Sequence, residues 1–232
     1  MKKNLIKLMI LVVACFIIVN GDGQTAYIPS CCDSISVIDV ATNIVFTKIL
    51  IGPSAYGVSV SPDGGRVYIT NPNYNSVSVI NSFTNSVIDI IQVGTNPQGI
   101  CVAPDGSHVY VANTDNTGIV SVINTSTDTV EATISVGSFP IGVCVSPDGS
   151  KVYVNNGGST TMDVINTATN NVTATITVGS HPFGICVTPD GSKLYIADEN
   201  GYKVSVISTA TNTLLDTIPV GLNAEGICIS PD

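Results

Sequence analysis

Along most of the chain, apolar and polar residues alternate in short runs broken by turn residues, which is the pattern of half-buried strands and not of helices. Residues 99–103, 108–112, 120–123 and 129–134 show it plainly as four β-rich runs in succession. Pro104-Asp105-Gly106 joins the first two, with proline presetting φ and glycine accepting a positive φ. Residues 124–128, and their counterparts 166–170 and 208–212, turn the third run into the fourth. The unit recurs. A Pro-Asp pair starts at Pro62, Pro104, Pro147, Pro189 and Pro231, and a glycine following a β-branched residue stands at Gly52, Gly94, Gly137, Gly179 and Gly221, both with spacings of 42, 43, 42 and 42. Two landmarks in one register define five units. Four antiparallel strands in about 42 residues make one propeller blade, so the sequence predicts an all-β propeller of five four-stranded blades with almost no helix.

The second run of each unit carries a recognisable motif: Tyr68-Ile-Thr-Asn71, Tyr110-Val-Ala-Asn113, Tyr153-Val-Asn-Asn156 and Tyr195-Ile-Ala-Asp198, each preceded by Ser-Pro-Asp-Gly or a near variant. In these residues the chain resembles the YVTN family of β-propeller repeats. The resemblance implies surface-layer and other cell-envelope proteins, with relatives among lactonase-like and cytochrome d1-like propellers. The last unit reaches only its first strand, and residues 26–28 align with Val67-Tyr68-Ile69. Pairing of residues 26–28 with 226–230 would close the ring and remove its exposed edges, and that closure is the expectation.

The first residues follow another pattern. Lys2, Lys3 and Lys7 precede an apolar run from Leu8 to Val19, which gives way to Asn20-Gly-Asp-Gly23. This is the layout of a secretory signal peptide over residues 1–23, cut between 21 and 26, with the propeller over 24–232. An uncleaved membrane anchor is the competing reading, although twelve residues are short for a membrane span. Three of the eight basic residues and one of the seventeen acidic ones lie in the leader, so the mature chain would carry five against sixteen, a net of −11. Such a field repels a phosphate backbone, and no basic stripe offsets it, so nucleic acid is a poor candidate partner and none is expected. Only 11% of residues are charged and 44% are hydrophobic, which suits strands covered on both faces.

Catalytic chemistry is sparse. The two histidines, His108 and His181, fall in different units and at different repeat positions. No Cys-x-x-Cys-His exists for covalent haem, and neither a phosphate-cradling glycine loop nor a Gly-x-Ser-x-Gly elbow is present. No cofactor or metal is expected. Cys101, Cys144, Cys186 and Cys228 fill one repeat position, a blade apart at roughly 10 Å, beyond the roughly 4.4–6.8 Å Cα separation of a disulfide. They are expected to be shielded thiols. Cys31-Cys32 forms either a vicinal disulfide or two free thiols.

Internal variation separates two faces, because the five units solve one structural problem five times. The Pro-Asp-Gly turn and the turn after the third strand hardly change. The loops after the second strand (29–33, 72–75, 114–118, 157–161, 199–203) and those between units (53–56, 95–98, 138–141, 180–183, 222–225) differ widely. Successive turns of a meander alternate ends, so both variable sets emerge on one face around the channel mouth, where rigid scaffolds place binding residues. Tyr56, Gln98, Phe139, Ile141, His181, Phe183, Glu199 and Glu225 are the candidate binding residues. The leading expectation is a secreted or cell-surface module, not an enzyme, that binds or displays a protein, a glycan or copies of itself. Asn124-Thr-Ser126 and Asn171-Val-Thr173 are candidate glycosylation acceptors in keeping with that location. The alternative is a lactonase-like enzyme using Asp198, Glu199, Glu225 and His181 at the channel mouth.

Overall fold

The computed structural model describes residues 16–17, 24–30 and 33–230. They form five four-stranded antiparallel sheets in chain order. The first holds β1 (Phe16–Ile17), β2 (Thr25–Pro29), β3 (Ser34–Asp39) and β4 (Ile44–Leu50), and the second β5 (Val58–Val60), β6 (Arg66–Asn71), β7 (Ser76–Asn81) and β8 (Ser86–Gln92). The third holds β9 (Pro97–Val102), β10 (His108–Asn113), β11 (Ile119–Asn124) and β12 (Thr129–Ser135). The fourth holds β13 (Pro140–Val145), β14 (Lys151–Asn156), β15 (Thr161–Asn166) and β16 (Asn171–Thr177), and the fifth β17 (Pro182–Val187), β18 (Lys193–Asp198), β19 (Lys203–Ser208) and β20 (Thr213–Pro219). Each sheet is a blade of a β-propeller. A single 3₁₀ turn, Pro72–Tyr74, is the only helical element among the described residues.

The register repeats with the sequence: Ser59 faces Tyr68, Cys101 faces Tyr110, Cys144 faces Tyr153 and Cys186 faces Tyr195. Both invariant turns have a local cause. Gly64, Gly106, Gly149 and Gly191 take φ of 72°, 74°, 72° and 72° in the Pro-Asp-Gly turns. Asp148 Oδ1 accepts from the Ser146 hydroxyl at 2.5 Å and from the Ser150 backbone N–H at 3.0 Å. These donors hold its carboxyl at about 2, well below the usual carboxylate range. At the other invariant turn Asn43, Asn85, Asp128, Asn170 and Asn212 all sit in the left-handed region, which Asn and Asp tolerate better than other side-chain-bearing residues. The two turns are then tied together, since the hydroxyls of Ser82, Thr125, Thr167 and Thr209 donate to the carbonyls of Gly64, Gly106, Gly149 and Gly191. These bonds are internal to the face, although the side-chain oxygens of Asn170 and Asn212 stay buried without a partner.

Stacking buries the blades' faces. One face of each blade presents a tyrosine and aliphatics, and the other presents aliphatics alone. Tyr27, Ile35, Val37 and Ile49 of the first blade meet Val67, Ile69 and Ile80 of the second. Tyr68, Val77, Val79 and Ile91 meet Val109, Val111 and Ile123. Tyr110, Val120, Val122 and Ile134 meet Val152, Val154 and Ile165. Tyr153, Met162, Val164 and Ile176 meet Leu194, Ile196 and Ile207. Each fully buried side chain of this size contributes roughly 1.5–3 kcal/mol. Along the channel the innermost strands approach more closely than a Cβ permits. A methyl group on Gly57, Gly99, Gly142 or Gly184 would lie 2.0–2.3 Å from the carbonyl oxygen of Gln98, Ile141, Phe183 or Glu225. Glycine at this position is therefore a packing requirement.

The expected closure does not form. Residues 226–230 are in no strand, and the place beside β2 is taken by β1, with Phe16 facing Ala26 and Ile17 facing Thr25. The chain near Glu225 lies instead against Gly184 of the fifth blade, in the position of a sixth innermost strand. The physical reason is chain entropy: closing a hairpin of a few residues costs roughly 3 kcal/mol less than bringing together segments some 200 residues apart. Phe16–Ile17 belong to the segment read as a leader; the rest of that segment before Gln24 lies outside the described residues, as does Cys31-Cys32. No helix among the described residues is long and apolar enough to cross a membrane.

The four repeat cysteines are thiols, as expected, but they are not equally shielded. Cys144 is buried, and burial pushes its thiol well above the ordinary value; Cys186 is pushed up to about 12. Cys228 is exposed.

Candidate functional site

Both variable loop sets do lie on one face, and backbone hydrogen bonds connect them: Thr114 N–H donates to Asn96 O, Gly157 N–H to Phe139 O and Glu199 N–H to His181 O. Five of the candidates, Tyr56, Gln98, Ile141, Phe183 and Glu225, occupy one repeat position, immediately before the glycine of the innermost strand. The four carbonyls that pack on those glycines belong to this same set. One backbone position around the channel mouth thus carries a phenol, an amide, an aliphatic, a phenyl ring and a carboxylate. Tyr56 is 41% exposed, while Ile141 is buried and contributes packing instead of a contact surface.

These side chains are within electrostatic reach of one another. Burial, and then the negative charges of Glu225 and Glu199, hold the Tyr56 phenol above its ordinary value, although Tyr56 leads into the second blade and the two glutamates belong to and follow the fifth. His181 Nδ1 lies 2.7 Å from Glu199 Oε2 without the alignment of a good hydrogen bond, so the contact is an ion pair when the imidazole is protonated. The His181 ring also stacks on Phe183, with centroids 6.3 Å apart. The walls are pinned from behind. Thr70 Oγ1 donates to Gln98 O at 2.9 Å, and Asn155 Nδ2 reaches Phe183 O and Gly184 O at 3.2 and 3.3 Å.

A further feature of this face has only a weak signal in the sequence, Asn at 96 and 223. Ser54, Asn96, Phe139, His181 and Asn223 occupy a second shared repeat position and all adopt the left-handed conformation, with φ from 51° to 71°. Asparagine is at ease there, but a phenylalanine costs of order 1–3 kcal/mol. Phe139 is 38% exposed, so burial of its ring does not repay that cost.

Asp198, proposed as an acid for catalysis, belongs to a different structure. It takes the place of Asn71, Asn113 and Asn156, which clasp the neighbouring strand through Ser78, Ser121 and Asp163. Its own carboxylate accepts from the Ser205 hydroxyl at 2.8 Å, is fully buried, and is raised by that burial. It is thus committed to the blade and closed to substrate. Among the described residues no group of three or more His, Cys, Asp and Glu side chains is placed to hold a metal ion. His108 is paired with Glu131 at 2.8 Å on the strands of the third blade.

Of two clefts of about 270 and 280 Å³, the second lies beside the variable loops, lined by Gly52, Asn71, Tyr74 and Gln92, and the first lies at the invariant turns. That one opens between the second and third blades, around Asp63, Arg66, Tyr68 and Asp105. There Arg66 is held by Asp128 at 2.8 Å and by the Thr125 carbonyl at 2.9 Å.

No family model matches the chain, and no curated protein matches it by sequence. Solved structures do match. A chain of Kuenenia stuttgartiensis hydrazine synthase superposes with a TM-score of 0.72 at 20% identity, over 90% of this chain and 87% of that one. A functionally unknown protein from Desulfotomaculum acetoxidans DSM 771 superposes with a TM-score of 0.74 at 20% identity, over 92% of this chain and 73% of that one. At this identity the likeness establishes the β-propeller fold and nothing about activity.

Proposed function

We propose that this chain is an exported propeller of the YVTN type that binds a protein or glycan at the cell surface through its variable face. The observation supporting this reading is the contrast between two ends of one scaffold. At one end the turns repeat, and the hydroxyls of Ser82, Thr125, Thr167 and Thr209 tie them to the Pro-Asp-Gly carbonyls. At the other, a single repeat position carries Tyr56, Gln98, Ile141, Phe183 and Glu225, with His181 and Glu199 beside them. A scaffold needs only one good solution per position, so the different side chains at this place that are not buried, Tyr56, Gln98, Phe183 and Glu225, are free to serve a ligand. Half-exposed aromatic rings next to carboxylates supply the contact area and directional acceptors that protein and glycan surfaces use.

The test is binding of the purified chain to isolated cell envelopes and to a glycan array, comparing the parent with a Tyr56→Ala/Phe183→Ala variant. The expected result is at least tenfold weaker binding with an unchanged melting midpoint. Unchanged binding by that variant, together with loss of binding in a Pro-Asp-Gly turn variant that still folds, would place the site at the opposite end.

A further inference from the structure

Four glycines lead from one blade into the next, and three of them close on the blade they enter. A methyl group on Gly94, Gly137 or Gly179 would clash with Asn113, Asn156 or Asp198, at 2.6 Å or less from the Cγ atom. The N–H groups of Gly94 and Gly137 donate to Ser121 Oγ at 3.4 Å and Asp163 Oδ2 at 2.8 Å. Gly52 does not close on Asn71. Alone of the four it takes a positive φ, 91°, its N–H donates to Asp33 O instead of Ser78 Oγ, and a methyl group on it would meet Tyr74 Cε2 at 2.7 Å. The space released is the cleft of about 280 Å³ on the second blade.

The same blade departs from the others in what lines that space. β8 places Ile90 opposite Ser78, where the third, fourth and fifth blades place Thr133, Thr175 and Thr217 opposite Ser121, Asp163 and Ser205. The walls are thus Ile51, Ile90 and the ring of Tyr74, the last two 58% and 53% exposed, and no charged side chain lines the cleft. The floor is polar. Asn71 Nδ2 donates to Ser78 Oγ at 2.9 Å, while Asn71 Oδ1 is buried without a partner and the Ser78 O–H has no acceptor among the described residues. The side-chain oxygens of Asn113 and Asn156 also lack partners, but there the glycine covers the amide.

We propose that this cleft is a subsite for one neutral pyranose residue of a glycan. A lining without charge selects a neutral ligand. An aliphatic peptide side chain in the cleft would seal Asn71 Oδ1 and the Ser78 O–H away unpaired, which costs affinity. A sugar hydroxyl both donates and accepts, so it serves the two together. The C–H face of the ring, with its partial positive charge, lies on the negative face of Tyr74 and against Ile90. The volume is at the low end for small-molecule sites and admits a single ring. This inference rests on the glycan branch of the proposed function and gives it a place apart from Tyr56 and Phe183.

The experiment is saturation-transfer nuclear magnetic resonance on the full chain with the methyl pyranosides of glucose, galactose, mannose and N-acetylglucosamine, followed by titration. At least one is expected to bind with a dissociation constant of about 1 mM, the range open to a single ring, with saturation strongest on its ring C–H protons. Tyr74→Ala and Ile90→Thr, the second restoring what three other blades carry, should each weaken that binding at least tenfold with little change in the melting midpoint. Phe83→Ala, which removes an exposed ring at the opposite end, and Tyr56→Ala/Phe183→Ala should leave it as it is. Absence of binding by all of these glycosides up to about 50 mM overturns the inference, and so does binding that survives both Tyr74→Ala and Ile90→Thr. N-acetyltyrosine amide binding there more tightly than every glycoside overturns it in favour of a peptide. If envelope binding falls in Tyr56→Ala/Phe183→Ala while no glycoside binds, the subsite is refuted and the reading of the variable face stands. If a glycoside binds and Tyr74→Ala abolishes it while envelope binding ignores Tyr56 and Phe183, the subsite stands and that reading of Tyr56 and Phe183 falls.

Discussion

Truncating Ile176 and Ile218 to alanine tests the reading of the blade faces, because the two residues share a repeat position, a strand environment and a neighbouring bulge. They differ in what covers them. Ile176 is 6% exposed between the fourth and fifth blades, and Ile218 is 42% exposed on the fifth. Removing three carbons from Ile176 forfeits about 2.4 kcal/mol of transfer energy at about 0.8 per carbon, and the cavity left between two sheets brings the cost to about 3 kcal/mol. At Ile218 only part of that transfer energy is at stake and no enclosed cavity forms, which leaves about 1 kcal/mol. Strand propensity is lost equally at both sites and cancels. Urea unfolding followed by far-ultraviolet circular dichroism should show Ile176→Ala losing about 2 kcal/mol more than Ile218→Ala. Equal losses would mean that the outer face of the fifth blade is covered, and the reading of the blade faces would fall.

Other consequences are independent of that face. Asp148 and Asp190 are both held at about 2 by the donors of their turns, so their contribution is present above about pH 4 and is lost as pH falls toward 2; Asp148→Asn should flatten the pH dependence of the melting midpoint over that window. Alkylation of the native protein should label Cys228 first and leave Cys144 untouched until denaturant is added, read by peptide mass spectrometry; labelling of native Cys144 at the same rate would contradict its burial. Phe139→Asn should raise stability by about 1 kcal/mol by relieving left-handed strain and should weaken binding at the variable face; a loss of stability would show that the phenyl ring packs more than its exposure indicates.

The candidate site was legible in part. Variation between units singled out two sets of loops, and the meander's alternation put them at one end, where the structure has them. That five of the residues share one repeat position also follows from counting. Their proximity across the channel does not, because Tyr56 and Glu225 are 169 residues apart and nothing local relates them. The shared left-handed position under Phe139 and His181 escaped notice because its signal, Asn at 96 and 223, is diluted by aromatic and serine residues elsewhere. Asp198 looked like a free acid for the opposite reason. It lies next to Glu199 in sequence, yet it ends a strand whose register turns it onto Ser205.

Four strands per blade, their order, the turn chemistry and the blade period were determined by sequence alone, since each depends on contacts within about 42 residues and is written repeatedly; the innermost strand of the first blade, β1, was not. What covers each blade was decided only by the tertiary structure. Stacking joins faces whose partners lie a whole unit away, and every face carries nearly the same apolar residues whether or not a neighbour is there to bury it. The alternation that identifies Ile218 as a core residue is therefore identical to the one at Ile176, and only the arrangement of blades in space leaves one enclosed and the other facing water. Closure failed for the same reason: residues 26–28 match their repeat position, but a match in pattern carries no information about which of two competing strands, one near in the chain and one distant, reaches that edge.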